Sequence, residues 1–198
     1  MDNQLKIRTA LNDAKPVESE HLLSEAPLNG KINLRGNGDN PAFVQGVEKA
    51  LGLSLPVEAN TVSSSFEQMI FWLGPDEWLI HMPPNELEQK MGALRETFAG
   101  QHVALTDVSD YFSVLQLSGP QAREVIASAS PFDTRTPHFK PGLCAQTCFG
   151  HASILLWPLD DASTFGLQVR WSYARYVYDY LAQSIRNTEN LTKLNASQ

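Results

Sequence analysis

The chain has 198 residues, 42% of them hydrophobic and 19% charged, enough for a sizeable core in one domain, or one domain with an extension. Its net charge of −7 and its lack of any basic run exclude phosphate-backbone binding to nucleic acid, which needs clustered Lys and Arg. Cys144 and Cys148 are the only cysteines, so no disulfide framework is implied, and no apolar stretch approaches the roughly 20 residues of a membrane span. The polar opening Met1-Asp2-Asn3-Gln4 has no apolar core of a signal peptide, so the expectation is a cytoplasmic protein.

Residues 1–28 are polar and aperiodic and read as a mobile or partner-bound arm. Lys31 to Gly36 alternates with period two, as a half-buried strand does. Asn40 and Pro41 follow a turn as N-cap and first helical residue, and Gly52 closes that helix. Its apolar face is Phe43, Val47 and Ala50. Residues 69–82 hold two apolar runs, Met69 to Leu73 and Trp78 to Met82, around Gly74-Pro75-Asp76-Glu77. Pro75 presets a tight turn and Asp76-Glu77 keep it in water, so a β-hairpin is predicted. Pro83-Pro84-Asn85 opens a second helix with Leu87, Met91, Leu94 and Phe98 on one stripe, and Glu86 with Lys90 as a solvent-side pair.

Val103 to Val108 and Phe112 to Leu117 read as strands. Gly119-Pro120 starts a helix that buries Ala122, Val125 and Ile126. Three further strands are predicted over Leu143 to Phe149, Ala152 to Trp157 and Phe165 to Arg170. A last helix begins at Ser172 as N-cap and turns Ala174, Val177, Leu181 and Ile185 inward. Interleaved helices with frequent hairpins predict an α+β domain with a mainly antiparallel sheet. The expected division is an arm over 1–28, one α+β domain over 29–187 and a polar tail over 188–198.

Cys144, Cys148 and His151, with His138 upstream, invite a zinc reading. On one strand, however, the two cysteines stand about 13 Å apart, whereas zinc ligands each lie about 2.3 Å from the metal. Thr106-Asp107-Val108-Ser109-Asp110-Tyr111 sets an acid beside hydroxyls, but no base is implied nearby for a nucleophilic serine. There Asp and Ser are expected to bond the backbone of a strand end. Asp76 and Glu77 read as turn solvation rather than an acid pair. No phosphate loop, no Gly-x-Gly-x-x-Gly and no Gly-x-Ser-x-Gly elbow is present. No catalytic, cofactor-binding or metal residue is therefore assigned.

The last helix carries a second stripe. Tyr173, Tyr176 and Tyr180 recur at i, i+3 and i+7, roughly 120° round from the apolar face at about 100° per residue. Tyrosine suits interfaces because its ring is apolar and its hydroxyl is wet. These three are the candidate partner interface; the alternative is three half-exposed rings that cover the core edge.

The segments Ile32 to Gly36, Leu51-Gly52-Leu53 with Leu55-Pro56, and Leu73-Gly74-Pro75-Asp76-Glu77-Trp78-Leu79 together resemble the gamma subunit of heterotetrameric sarcosine oxidase. Thr106 to Ser109, Leu117 to Ala122, Pro141 to Cys144 and Thr147 to Gly150 continue the resemblance, which covers about residues 30–185. Trp171-Ser172-Tyr173-Ala174 is similar to the family's closing Arg-Ser-x-Ala motif, with Trp171 in place of Arg. The resemblance implies the folate-binding fold of the glycine-cleavage aminomethyltransferase. It also implies assembly with alpha, beta and delta subunits. NAD and the folate site would lie on alpha, FAD on beta, FMN between alpha and beta, and zinc on delta. The implied complex demethylates sarcosine to glycine oxidatively, releases hydrogen peroxide and passes the one-carbon unit to tetrahydrofolate. Residues 141–157 contain no acidic residue, where the aminomethyltransferase resemblance leads one to look for an essential Asp. The expected role is therefore structural, with no cofactor on this chain. The alternatives are a stand-alone folate-binding protein of this fold and the matching subunit of an N-methylglutamate dehydrogenase.

Overall fold

Alternation along the strands sorts this chain into layers. The computed structural model describes residues 8–14, 17, 19–135, 138–161 and 163–195. One sheet has the order β3-β4-β5-β2-β6 and the other β1-β7-β10-β9-β8. The first is built from β2 (Gly30–Arg35), β3 (Val62–Ser64), β4 (Met69–Gly74), β5 (Glu77–Met82) and β6 (Ala104–Asp107). Its helices are α1 (Pro41–Leu51) and α2 (Leu87–Thr97). The second sheet comprises β1 (Leu22–Glu25), β7 (Phe112–Ser118), β8 (Ala145–Phe149), β9 (Ala152–Pro158) and β10 (Thr164–Arg170), with helices α3 (Ala122–Ala127) and α4 (Trp171–Asn195). The strand pairs are antiparallel, so the α+β architecture predicted from sequence is the one observed.

Three apolar clusters hold the layers together. Ile32, Leu34, Ile70, Trp78 and Ile80 meet Phe43, Val47, Met91 and Leu94 of α1 and α2. On the far side, Leu115, Leu117, Leu156 and Leu167 meet Val125, Ile126, Val177, Leu181 and Ile185 of α3 and α4. Between the sheets, Phe71, Leu79, Val114, Leu155 and Trp157 form the third cluster. The layer order is thus helices, sheet, sheet, helices. Each sheet is covered on both faces, which is why β5 and β9 carry consecutive apolar residues, Trp78-Leu79-Ile80 and Ile154-Leu155-Leu156-Trp157, rather than alternating ones.

The predicted hairpin is β4–β5. Trp72 pairs with Trp78 and Gly74 with Glu77, leaving Pro75 and Asp76 as the turn. Trp78 is fully buried, packs on Phe43 at 5.6 Å between ring centroids, and donates its indole N–H to Pro56 O at 2.7 Å. The Asn40 cap accepts from Ala42 N–H, and Gly52 ends α1 with φ 75°.

Several expectations need correction. Leu22–Glu25, read as part of the polar arm, forms an edge strand in which Leu23 pairs with Leu117. Leu11 and Leu23 are buried; two isolated leucines are too few to show a period. Residues 1–7, 15, 16 and 18 lie outside the described residues. The polar stretch read as a tail continues α4 through Asn195. Its residues bond back to the domain: Glu189 Oε1 lies 3.2 Å from His21 Nδ1, and Gln121 donates to Thr192 Oγ1 at 2.9 Å. Residues 196–198 lie outside the described residues. The helix starts at Trp171, directly after β10, and not with Ser172 as its cap. Glu86 and Lys90 do not pair: Gln68 donates to Glu86 and Lys90 to Leu51 O, because a short 3-10 turn over Pro84–Glu86 precedes α2.

Trp78→Ala is expected to cost about 3–5 kcal/mol, and Trp78→Phe about 1–3 kcal/mol for the Pro56 carbonyl left without its donor. Urea titration followed by circular dichroism measures both.

Candidate functional site

The chemistry-bearing side chains gather where the two sheets face each other. Lys31 and His81 are cross-strand partners on β2 and β5. They stand on the face opposite Ile32 and Ile80, because successive strand residues point to opposite sides. His81 is buried and its Nε2 lies 2.7 Å from Gln168 Oε1 on β10. Its ring sits 4.9 Å from that of Phe71 and 5.9 Å from that of Trp157. Burial pushes its pKa down to about 3, the Gln168 bond opposes this, and the charge of Lys31 adds to the fall. A neutral imidazole therefore donates to Gln168 and links the sheets.

Lys31 is 1% exposed. Its ammonium donates to Asn29 O at 3.3 Å and to Ser109 O at 3.2 Å. Burial lowers its pKa to about 8, against the pull of Asp110, Asp107 and Glu25. Asp107 Oδ1 accepts from the Ser109 N–H at 2.9 Å and from its hydroxyl. The same hydroxyl oxygen accepts from the Lys31 N–H at 3.0 Å. Asp107 and Ser109 thus close a strand end, as expected, and this loop fastens β6 to β2. The sequence reading missed Lys31, His81 and Gln168. The signal was there: each is a polar residue inside a strand whose other face is apolar, and His81 and Gln168 interrupt otherwise apolar runs.

The remaining candidates are also engaged in structure. Arg35 pairs with Glu77 and lies 3.6 Å from Asp76, and Asn33 donates to Glu77 at 2.8 Å. Those carboxylates anchor the turn to β2 instead of only solvating it. Cys144 is buried and its thiol is pushed up to about 12 by burial; its Sγ lies 3.7 Å from Thr61 O and from Trp72 O. Cys148 is partly exposed on β8. No group of three or more His, Cys, Asp or Glu is placed to hold a metal ion among the described residues, and none of their helices is long and apolar enough to cross a membrane.

Tyr173, Tyr176 and Tyr180 do form one stripe, with ring centroids 6.5 and 6.1 Å apart in succession. Tyr176 is half-buried and its hydroxyl accepts from the His151 N–H at 3.2 Å. It seals the β8–β9 turn, where Gly150 has φ 58° and any Cβ would stand 2.3 Å from that hydroxyl. Tyr180 meets Phe149 edge-on at 5.1 Å. Tyr173 and Tyr180 remain 43% and 38% exposed. The stripe therefore covers the core edge and still presents aromatic surface, continued by exposed Trp171. Its opposite face, Ala174, Val177, Leu181 and Ile185, is buried as predicted.

Residues 35–187 match the model of the sarcosine oxidase gamma subunit family. A sarcosine oxidase subunit gamma of Corynebacterium sp. strain P-1 is 32% identical over 139 residues, 69% of this chain and 66% of that protein. The chain thus spans just under two thirds of that relative's length. A chain of heterotetrameric sarcosine oxidase from Corynebacterium sp. U-96, in complex with pyrrole 2-carboxylate, superposes with a TM-score of 0.83 at 23% identity, over 91% of this chain and 95% of that one. The glycine cleavage system aminomethyltransferase T of Bartonella henselae superposes at 0.58 and 13% identity, over 83% of this chain and 46% of that one. These two likenesses establish a shared fold.

Both shifted bases predict a pH signature. The unfolded chain binds the His81 proton below 6.5, while the folded chain resists it down to about 3. Stability therefore rises with pH across that window. The unfolded chain also holds the Lys31 proton up to 10.5, while the folded chain releases it near 8, so Lys31 contributes a second rise between those values. Urea unfolding at several pH values should show a shallower acid slope in His81→Gln and a shallower alkaline slope in Lys31→Met. Unchanged slopes would contradict both assignments.

Proposed function

The chain belongs to the sarcosine oxidase gamma subunit family, and we propose that it acts as the non-catalytic gamma subunit of a heterotetrameric sarcosine oxidase in the cytoplasm. In this reading it holds alpha, beta and delta chains in register. The assembled enzyme demethylates sarcosine to glycine, releases hydrogen peroxide and passes the one-carbon unit to tetrahydrofolate. FAD, FMN, NAD, zinc and tetrahydrofolate belong to the other subunits.

The family match over residues 35–187 carries the proposal. The state of the titratable side chains supports the structural role. His81 is neutral and bonded to Gln168, the Lys31 ammonium is bound by two backbone carbonyls, and the Asp107 carboxylate is occupied by Ser109. These three groups are engaged in bonds that hold strands and a strand end in place. The aromatic stripe of α4 supplies the docking surface: Tyr173 and Tyr180 have apolar rings and exposed edges, the composition that interfaces favour.

Tyr173→Ser with Tyr180→Ser is expected to weaken co-purification with the other subunits by about tenfold or more while the isolated chain keeps its circular dichroism spectrum. Tyr176 is left intact because it seals the β8–β9 turn. Undiminished assembly would refute the interface. Purified alone, the chain should be colourless and inactive on sarcosine; bound flavin or turnover would refute the non-catalytic role.

A further inference from the structure

The hairpin β3–β4 leaves part of its outer edge open. Trp72 N–H donates to Thr61 O and Ser65 N–H to Gln68 O, so Thr61, Ser65 and Ser63 between them turn their backbone groups toward β4. In an antiparallel pair the alternate residues turn theirs away. Val62 does so: its N–H donates to Gly142 O at 2.8 Å, beside a bond from Cys144 N–H to Asn60 O at 2.8 Å. The covering stops there. Gly142, at φ 91°, and the turn in which Leu143 N–H donates to Lys140 O take the chain off the edge. Ser64 is exposed, and its outward N–H and C=O have no partner among the described residues. Val62–Ser64 carries no charge and no proline, the usual devices that blunt such an edge.

A cavity of about 760 Å3 opens beside this edge; Val62, Ser64, Met69 and Leu143 belong to its wall. Leu28, Leu159 and Phe66 also line it and stand exposed, Phe66 fully so at the tip of the hairpin. Apolar surface gathered at an apolar cavity marks a contact site. Among the described residues the lining contains no Lys or Arg, and its one carboxylate is the exposed Glu67 beside Phe66. A cationic side chain fits that mouth. A second copy of this chain would bring the same Glu67 and another net charge of −7 against it, so charge disfavours self-pairing.

We propose that an extended segment of another subunit adds to the edge of β3 at Ser64, lays an apolar side chain into the cavity and sets a Lys or Arg against Glu67. Main-chain bonds to Ser64 supply the attachment and the cavity selects the side chain, the division of labour seen in strand addition. This inference rests on the assembly role proposed above, but its residues are separate from the Tyr173/Tyr180 surface.

The test uses the complex assembled from co-expressed subunits. With the photocrosslinker p-benzoylphenylalanine in place of the exposed Phe66, irradiation is expected to join residue 66 to a segment of another subunit that carries an apolar residue and a Lys or Arg. Amide exchange over residues 62–66 should be slower by about tenfold or more in the complex than in the isolated chain. Ser64→Pro removes the outward N–H and keeps the ladder to β4; it should weaken the complex by about tenfold. Glu67→Lys should weaken it by a smaller factor, and that loss should shrink as salt is raised. Phe66→Ser, at an exposed ring, should weaken it as well and decides if Ser64→Pro disturbs the hairpin. A complex in which residue 66 joins only a second copy of this chain, or nothing, overturns this site and leaves the assembly role standing. So does a complex in which residues 62–66 exchange as in the isolated chain, or one that forms undiminished with Ser64→Pro and Phe66→Ser. A chain that enters no complex overturns both.

Discussion

The constraint on which this molecule depends is that both sheets are buried on both faces. Helices cover the outer faces, so the inner faces must cover each other. Side chains that a one-sided sheet would hand to water then end in a dry seam. Lys31, His81 and Gln168 are the result. A charge or an imidazole in that seam survives only with bonded partners. Two carbonyls for Lys31 and one amide for His81 meet that demand. These bonds also fix register, since a one-residue slip of β2 would turn Lys31 into the helix-side core and Ile32 into the seam.

The hairpin β4–β5 serves both sides of that arrangement. Trp78 and Ile80 reach outward to α1 and α2, while Phe71, Leu79 and His81 reach inward to the second sheet. The hydrogen bond from Trp78 to Pro56 and the pairing of Arg35 with Glu77 hold its ends. It is a structural hub whose buried imidazole, His81, is neutral and bonded to Gln168, in keeping with the assembly role proposed for the chain.

Much of this was legible in the sequence for plain reasons. Two apolar runs around Gly74-Pro75-Asp76-Glu77 placed the hairpin, and helical stripes placed α1 and the buried face of α4, because each of those helices has one apolar side. Asn40-Pro41 and Gly52 marked the limits of α1 through backbone chemistry alone. What failed to show were features decided by distant partners. Leu22–Glu25 is a strand only because β7 offers it an edge, and residues past 187 stay helical with contacts to His21 and Gln121. The seam was missed for a related reason: alternation along β2 assigns Lys31 to solvent unless a second sheet is known to lie there. The tyrosine stripe was visible by spacing, yet the role of Tyr176 in sealing the turn at Gly150 was not.

The chain order of the two layers has a consequence for synthesis. The β2–β6 sheet and its helices come from the continuous stretch 30–107, so that layer can assemble while the rest is still being made. The other layer cannot. Its edge strand β1 leaves the ribosome first, but its partner β7 lies about 90 residues downstream, and the His21–Glu189 contact spans 168 residues. Such long closures are slow. The N-terminal segment must therefore wait until α4 is complete, and a nascent chain halted before α4 would present an open sheet edge and uncovered Leu115, Leu117 and Leu167 to chaperones.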